Sequence, residues 1–198
     1  MAEILLVEDS PKIRQFKKEA IKKAGFNVTS AYNGIEACHI LDTEAYQPDA
    51  IVSDLNQPEF EGYDLTHLLR GQFKWRIFQQ IPELKRRFEK RVEIALRYKH
   101  LRDKFGKTPL ILTSSGPVPE WPWKKVKGEW AVWESANAEI LHYSRVLELA
   151  DKFFVIEPVH SGDNLDVTGI IGMDALIQYL KEKLLSITSS DNARSSAK

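Results

Sequence analysis

The sequence predicts an α/β protein in which a five-stranded parallel sheet is covered by helices on both faces. Short apolar runs alternate with segments whose apolar residues recur every three or four positions, the patterns of buried strands and amphipathic helices. Most of the predicted strands end on an acidic residue or a threonine. Sheets of this kind bind ligands beyond the carboxyl ends of their strands, so a functional site is expected at that edge.

Three strands and three helices are predicted in the first 71 residues. Ser10-Pro11 is typical of a helix start, Gly25 of a helix end, and Asn33-Gly34 of a turn. In order, the elements are the strand Ile4–Val7, a helix from Pro11 to Ala24, the strand Asn27–Ala31, the helix Ile35–Thr43, the strand Ala50–Ser53 ending at Asp54, and a helix that begins at Gly62.

Two further strands and two helices are predicted after residue 107. They are the strand Leu110–Leu112 ending at Thr113, the helix Glu139–Ala150, the strand Phe153–Ile156 and the amphipathic helix Ala175–Ile187. The serine-rich tail, residues 188–198, is predicted to be disordered. Residues 1–187 are therefore predicted to form one domain, with its core in 1–71 and 108–187 and with insertions at 72–107 and 114–135.

Composition excludes several classes of protein. The chain has 198 residues with 28 basic and 28 acidic side chains, so its bulk charge does not favour nucleic acid as a ligand. The single cysteine, Cys38, excludes a disulfide framework and favours a cytoplasmic location. No apolar stretch approaches the length of a membrane span.

The neutral total conceals an uneven distribution of charge. Residues 72–107 carry 12 basic and 4 acidic side chains, a net charge of +8. The parts before and after carry net charges of −5 and −3. A basic block inside an acidic protein indicates an insertion.

The strand ends resemble those of the receiver domain of two-component response regulators. The resemblance rests on Ile4-Leu5-Leu6-Val7-Glu8-Asp9-Ser10, on Asp54-Leu55-Asn56-Gln57-Pro58 followed by Glu61-Gly62, and on Pro109-Leu110-Ile111-Leu112-Thr113. The segment Phe153–Pro158 matches less well. The resemblance implies a flavodoxin-like fold with strand order 2-1-3-4-5 and a signalling protein that is not an independent enzyme.

The resemblance also implies a role for individual residues. Asp54 is the expected phosphoryl acceptor, Thr113 the hydroxyl that meets the phosphoryl group, and Phe154 the aromatic residue whose rotamer reports activation. A carboxylate can attack phosphorus and form an acyl phosphate. The expected ligands of Mg²⁺, which prefers such oxygens, are Glu8, Asp9, Asp54 and the backbone carbonyl of Asn56.

One position departs from the family pattern. The family places a lysine immediately before the proline that ends the fifth strand, whereas this chain has Glu157 before Pro158. The change makes the local formal charge −4 instead of −2. No lysine lies nearby in the sequence to replace it, since Lys152 precedes the strand. Two interpretations remain open: Asp54 is still phosphorylated but signals differently, or the domain is a pseudo-receiver that works as a binding module.

The insertion at 72–107 carries one apolar stripe, which predicts a long amphipathic helix with a basic polar side. Because a helix-to-strand connection lies at the amino ends of the strands, we expect this helix to lie away from the carboxylates. Its stripe packs on its own domain, forms a homodimer or receives a downstream partner. Nucleic-acid binding is disfavoured, since no recognised motif supports it.

The insertion at 114–135 follows Thr113 and contains four of the five tryptophans. One interpretation is a tryptophan-anchored loop over the sheet edge. The other is a lid over the acidic pocket, in which Lys124, Lys125 or Lys127 supplies the charge that Glu157 removes.

Together these features predict a stand-alone, atypical response regulator. It takes a phosphoryl group on Asp54 from a histidine kinase or a phosphotransfer protein, with Mg²⁺, and signals by protein–protein contact. The alternative is a scaffold that works without phosphorylation.

Overall fold

The computed structural model describes residues 1–71, 82–114, 124–126, 129–131, 150–161 and 164–195. The predicted helix Glu139–Ala150 lies outside the described residues except for its last residue. Most of the insertion 114–135, including Lys127, also lies outside them. Among the described residues, no helix is long and apolar enough to cross a membrane.

A parallel sheet forms the centre of the molecule. Its strands are β1 (Glu3–Val7), β2 (Asn27–Ala31), β3 (Ala50–Asp54), β4 (Leu110–Ser114) and β7 (Lys152–Val155). The order is β2-β1-β3-β4, and β7 extends the sheet beside β4. Every neighbouring pair is parallel. Buried apolar runs such as Ile4–Val7 suit such strands, which are covered on both faces.

Helices cover both faces of the sheet, as the sequence predicts. They are α1 (Pro11–Lys23), α2 (Gly34–Asp42), α3 (Gly62–Arg70), α4 (Pro82–Arg97), α5 (Leu101–Phe105) and α6 (Met173–Ser195). Successive strand residues point to opposite faces. Leu5 and Ile51 therefore join a core with α2 to α5, whereas Ile4 and Val52 join a second core with α1 and α6.

The basic insertion differs from the single long helix that its periodicity predicts. It contains two described helices, α4 and α5, separated by a turn at Tyr98–His100. Ile94, Tyr98 and Phe105 are buried in the core beside α3. The described part of the apolar stripe therefore packs on its own domain, the first of the three alternatives.

The expected position of the inserted helix is wrong. Arg91 of α4 forms ion pairs with Glu61 and Asp64 at the start of α3, and Lys90 pairs with Glu59. These acids follow β3, so the middle of α4 lies at the carboxyl edge of the sheet. A connection that ends at the opposite edge does not have to remain there.

Two antiparallel hairpins accompany the sheet. One pairs β5 (Lys124–Val126) with β6 (Glu129–Ala131), within the second insertion. The other pairs β8 (Glu157–Ser161) with β9 (Asn164–Ile171) and was not expected from the sequence. The closing helix α6 runs to Ser195 and so includes most of the tail for which the sequence predicts disorder. A helix already begun can continue through serine and asparagine at a modest cost in propensity.

Candidate functional site

The ends of three neighbouring strands bring three polar side chains together. Asp54, the last residue of β3, lies opposite Thr113 of β4, and Val7 of β1 lies opposite Ser53, so that Glu8 follows at the same edge. Glu8, Asp54 and Thr113 are only 1%, 3% and 0% exposed. Two carboxylates and a hydroxyl thus share one almost closed polar pocket.

A lysine that the sequence reasoning missed lies between them. Lys17 of α1 is 0% exposed, and its Nζ donates hydrogen bonds to Glu8 Oε2 at 2.6 Å and Thr113 Oγ1 at 3.0 Å. The same Nζ lies 4.0 Å from Asp54 Oδ1. The expectation that no lysine would balance these acids is therefore wrong, because the ammonium comes from a helix and not from the fifth strand.

The position of Lys17 on α1 explains why its side chain points into the protein. Ile13 and Ile21 lie four residues before and after it, and both are buried. Residues four apart share a helix face, so Lys17 occupies a core position of α1. A charged residue within an apolar stripe was the signal that could have identified it.

Among the described residues, only one of the two carboxylate oxygens of Asp54 has a hydrogen-bond partner. Its Oδ2 accepts a hydrogen bond from the backbone N–H of Asn56 at 3.1 Å. Its Oδ1 is buried and has no hydrogen-bond partner among the described residues. Burial, followed by the negative charge of Glu8, raises the pKa of Asp54 to about 7, and the ammonium of Lys17 opposes this rise.

Two of the expected metal ligands, Glu8 and Asp54, are buried together at this edge. Oε2 of Glu8 is bound to Lys17, and its Oε1 accepts a hydrogen bond from Ser10 N at 3.2 Å. Asp9 and Asn56 are exposed, unlike Glu8 and Asp54. No group of three His, Cys, Asp or Glu side chains among the described residues is placed to hold a metal ion.

The loop after β3 is held tightly against the site. Nε2 of Gln57, which the sequence reasoning gave no role, donates to Val7 O at 3.1 Å and to Asp54 O at 2.9 Å. Gly62 lies so close that a Cβ on it would be 2.0 Å from Asp54 O. Only glycine permits α3 to begin at this distance from the end of β3.

Comparison with known proteins gives a family match for the first part of the chain. Residues 4–78 match the model of the response regulator receiver domain. Over these residues, which are less than half of its length, the chain is similar to a response regulator receiver domain. Over 71 residues it is 42% identical to protein-glutamate methylesterase/protein-glutamine glutaminase 3 of Rhodospirillum rubrum and 34% identical to the transcriptional regulatory protein CusR of Escherichia coli.

These matches cover 35% and 36% of the chain and 18% and 30% of the two relatives. The chain thus spans less than a third of the length of either relative. The shared part is this matched segment of 71 residues.

Solved receiver domains share the fold. The receiver domain of the Francisella response regulator 1452 has a TM-score of 0.51 at 18% identity, covering 92% of this chain and 96% of that one. A CheY-like receiver domain protein from Methanospirillum hungatei has a TM-score of 0.51 at 16% identity, covering 96% and 98%. The flavodoxin-like architecture is therefore that of receiver domains.

The other predicted site residues that the structure describes lie on β5, β7 and β8. Phe154 of β7 is half-buried and packs edge-on against Tyr179 of α6, with ring centroids 5.8 Å apart. Glu157 is the first residue of β8, opposite Ile171, and its side chain lies outside the described part. Lys124 and Lys125 lie on β5, and their side chains also lie outside the described part.

Proposed function

We propose that this receiver domain accepts a phosphoryl group on Asp54 from a histidine kinase or a phosphotransfer protein and signals through protein contacts. The observation that carries the proposal is the arrangement of Asp54, Thr113 and Lys17. Oδ1 of the buried Asp54 has no hydrogen-bond partner among the described residues. The ammonium of Lys17, which donates a hydrogen bond to the Thr113 hydroxyl, lies 4.0 Å from this oxygen.

The transfer is a substitution at phosphorus. Oδ1 of Asp54 forms the new O–P bond, the P–N bond to the donor imidazole breaks, and its electron pair stays on the imidazole nitrogen. Lys17 offsets the charge of Glu8 and of the incoming phosphoryl oxygens. Its ammonium compensates for the positive charge missing at Glu157, so the pocket keeps a cation without the usual lysine.

Mg²⁺ is the cation that the family resemblance implies. The described residues do not fit it as they are arranged, because Lys17 binds the oxygen of Glu8 that a metal would need. The proposed transfer therefore assigns charge neutralisation to Lys17.

Incubation with a small phosphodonor, phosphoramidate, tests the proposal. We expect intact-mass measurement to show a gain of one phosphoryl group in the wild type and none in Asp54→Asn, which keeps the shape of the side chain. Asp174→Asn, at an exposed carboxylate of α6, is the matched control and should gain the group. A gain that persists in Asp54→Asn would place the modification elsewhere.

One observation favours a second candidate function, a pseudo-receiver that scaffolds partners without phosphorylation. Asp54 is 3% exposed, which restricts access by any phosphodonor. If neither phosphoramidate nor beryllofluoride modifies or binds the wild type, this candidate replaces the first. Phosphotransfer of the two-component type takes place in the cytoplasm, and we propose that location for either function.

The insertions are proposed to contribute contact surfaces. The outer side of α4 and α5 is basic, with Lys90, Arg97, Lys99 and Arg102 exposed. An output partner or a second copy of the chain is proposed to bind residues 72–107. The lid formed by Lys124, Lys125 and Lys127 stays a prediction, tested by phosphorylation of the triple alanine variant.

A further inference from the structure

Lys17 places a fixed positive charge between two buried carboxylates. Its Nζ lies 2.6 Å from Glu8 Oε2 and 4.0 Å from Asp54 Oδ1. All three side chains are at most 3% exposed. Buried charges are stable when they are paired, and this ammonium supplies the pairing for Glu8.

We propose that Lys17 is a built-in cation that competes with divalent metal ions for Glu8. Hard ions such as Mg²⁺ and Mn²⁺ need anionic or carbonyl oxygens. One oxygen of Glu8 binds Lys17 and the other accepts the N–H of Ser10. A metal ion at Glu8 would therefore have to displace the ammonium or lie against a like charge.

Lys17 has little freedom to withdraw from the pocket. Its Cα lies on the buried face of α1 between Ile13 and Ile21, so its side chain must cross the core before it reaches the polar edge. Thr113 holds the ammonium from the β4 side at 3.0 Å. Displacement of the ammonium by a metal ion therefore breaks the hydrogen bonds of Lys17 to both Glu8 and Thr113.

The inference concerns cation binding and goes beyond the proposed phosphoryl transfer. It holds whether or not Asp54 accepts a phosphoryl group. Its test reads metal affinity, so its failure can be told apart from a failure to phosphorylate.

Titration with Mn²⁺, followed by the loss of the free-ion EPR signal, measures this competition. We expect Lys17→Met to bind one Mn²⁺ at least about tenfold more tightly than the wild type, because a like charge is removed beside the ligand. Lys22→Met removes an exposed lysine of the same helix and should leave the affinity at the wild-type value. Adding Glu8→Gln to Lys17→Met should abolish the gain.

Two outcomes would overturn the proposal: equal or weaker Mn²⁺ binding in Lys17→Met, or a gain that survives Glu8→Gln. Lys17→Met leaves Glu8 buried without its partner, so Lys17→Gln, whose amide can still donate to Glu8, is measured beside it. If circular dichroism shows that a Lys17 variant is folded and its affinity for Mn²⁺ has not increased, the proposal is overturned. If both variants unfold, Mn²⁺ must restore their folding through Glu8, and failure to do so also counts against it.

Discussion

The ammonium of Lys17 lies 3.0 Å from the hydroxyl of Thr113, although 96 positions separate the two residues in the chain. The hydrogen bond joins α1 to the end of β4 within a pocket where both side chains are 0% exposed. It connects the hydroxyl that the family resemblance expects to sense the phosphoryl group to a lysine for which the sequence predicted no role.

Replacing Thr113 tests the contribution of this hydrogen bond to stability. In Thr113→Val the buried ammonium loses one acceptor, so we expect the free energy of unfolding to fall by about 1–3 kcal/mol. Urea unfolding at pH 7 measures the change. Thr113→Ser keeps the hydroxyl and should lose clearly less. A Thr113→Val variant as stable as the wild type would contradict the expected contribution of the hydrogen bond.

Asp54 should make stability depend on pH. Its pKa is raised to about 7 from 3.8, so between these values the folded chain binds a proton that the unfolded chain has released. The carboxyl therefore contributes stability that is present at low pH and is lost as the pH rises through about 7. Because Asn cannot ionise, Asp54→Asn should exceed the wild type by on the order of 2–4 kcal/mol at pH 8 and by much less at pH 4.

Urea unfolding in EDTA across this pH range measures the difference between the two proteins. Asp174→Asn, which removes an exposed carboxylate, controls for the loss of one negative charge. A constant difference between Asp54→Asn and the wild type at every pH would contradict the expected role of ionisation.

The sheet and the acidic edge could be predicted because they follow from local signals. Continuous apolar runs mark strands buried on both faces, and the carboxyl ends of parallel strands meet at one edge. That rule is sufficient to bring Glu8, Asp54 and Thr113 together. Lys17 was missed because lysine usually lies on the surface, and its contacts with Glu8 and Thr113 are set by how α1 packs on the sheet.

Neither the break between α4 and α5 nor the position of α4 could be predicted from the sequence. The apolar spacing continues through Tyr98, Leu101 and Phe105, and no Gly or Pro marks the turn between α4 and α5. Periodicity alone therefore could not locate the break. The position of α4 depends on the contact of Arg91 with acids about 30 residues earlier in the chain, and spacing carries no information about that contact.

Cys38 should be protected from thiol reagents in the folded protein. The thiol is buried on α2, and burial raises its pKa well above the usual range, with further contributions from the charges of Asp42 and Asp64. Because the thiolate is the reactive form, we expect labelling by DTNB to be slower than in urea by at least about a hundredfold. Since Cys38 is the single cysteine, equal rates in buffer and in urea would show directly that α2 opens readily.

Arg91 should be the main electrostatic link between the inserted helix and the receiver core. It is 8% exposed, and its guanidinium contacts Glu61 at 2.5 Å, Asp64 at 3.2 Å and the ring of Tyr63. Arg91→Ala leaves the buried carboxylate of Asp64 without this cation, so we expect the free energy of unfolding to fall by about 3–5 kcal/mol.

Arg97 provides a matched control on the same helix. It pairs with Glu93 across the exposed side of α4, where both side chains are more than half exposed. Arg97→Ala should therefore change the free energy of unfolding by less than about 0.5 kcal/mol in the same urea measurement. If Arg91→Ala and Arg97→Ala have similarly small effects, the buried ion pair contributes no more to stability than the surface pair. Apolar packing alone would then hold α4 in place.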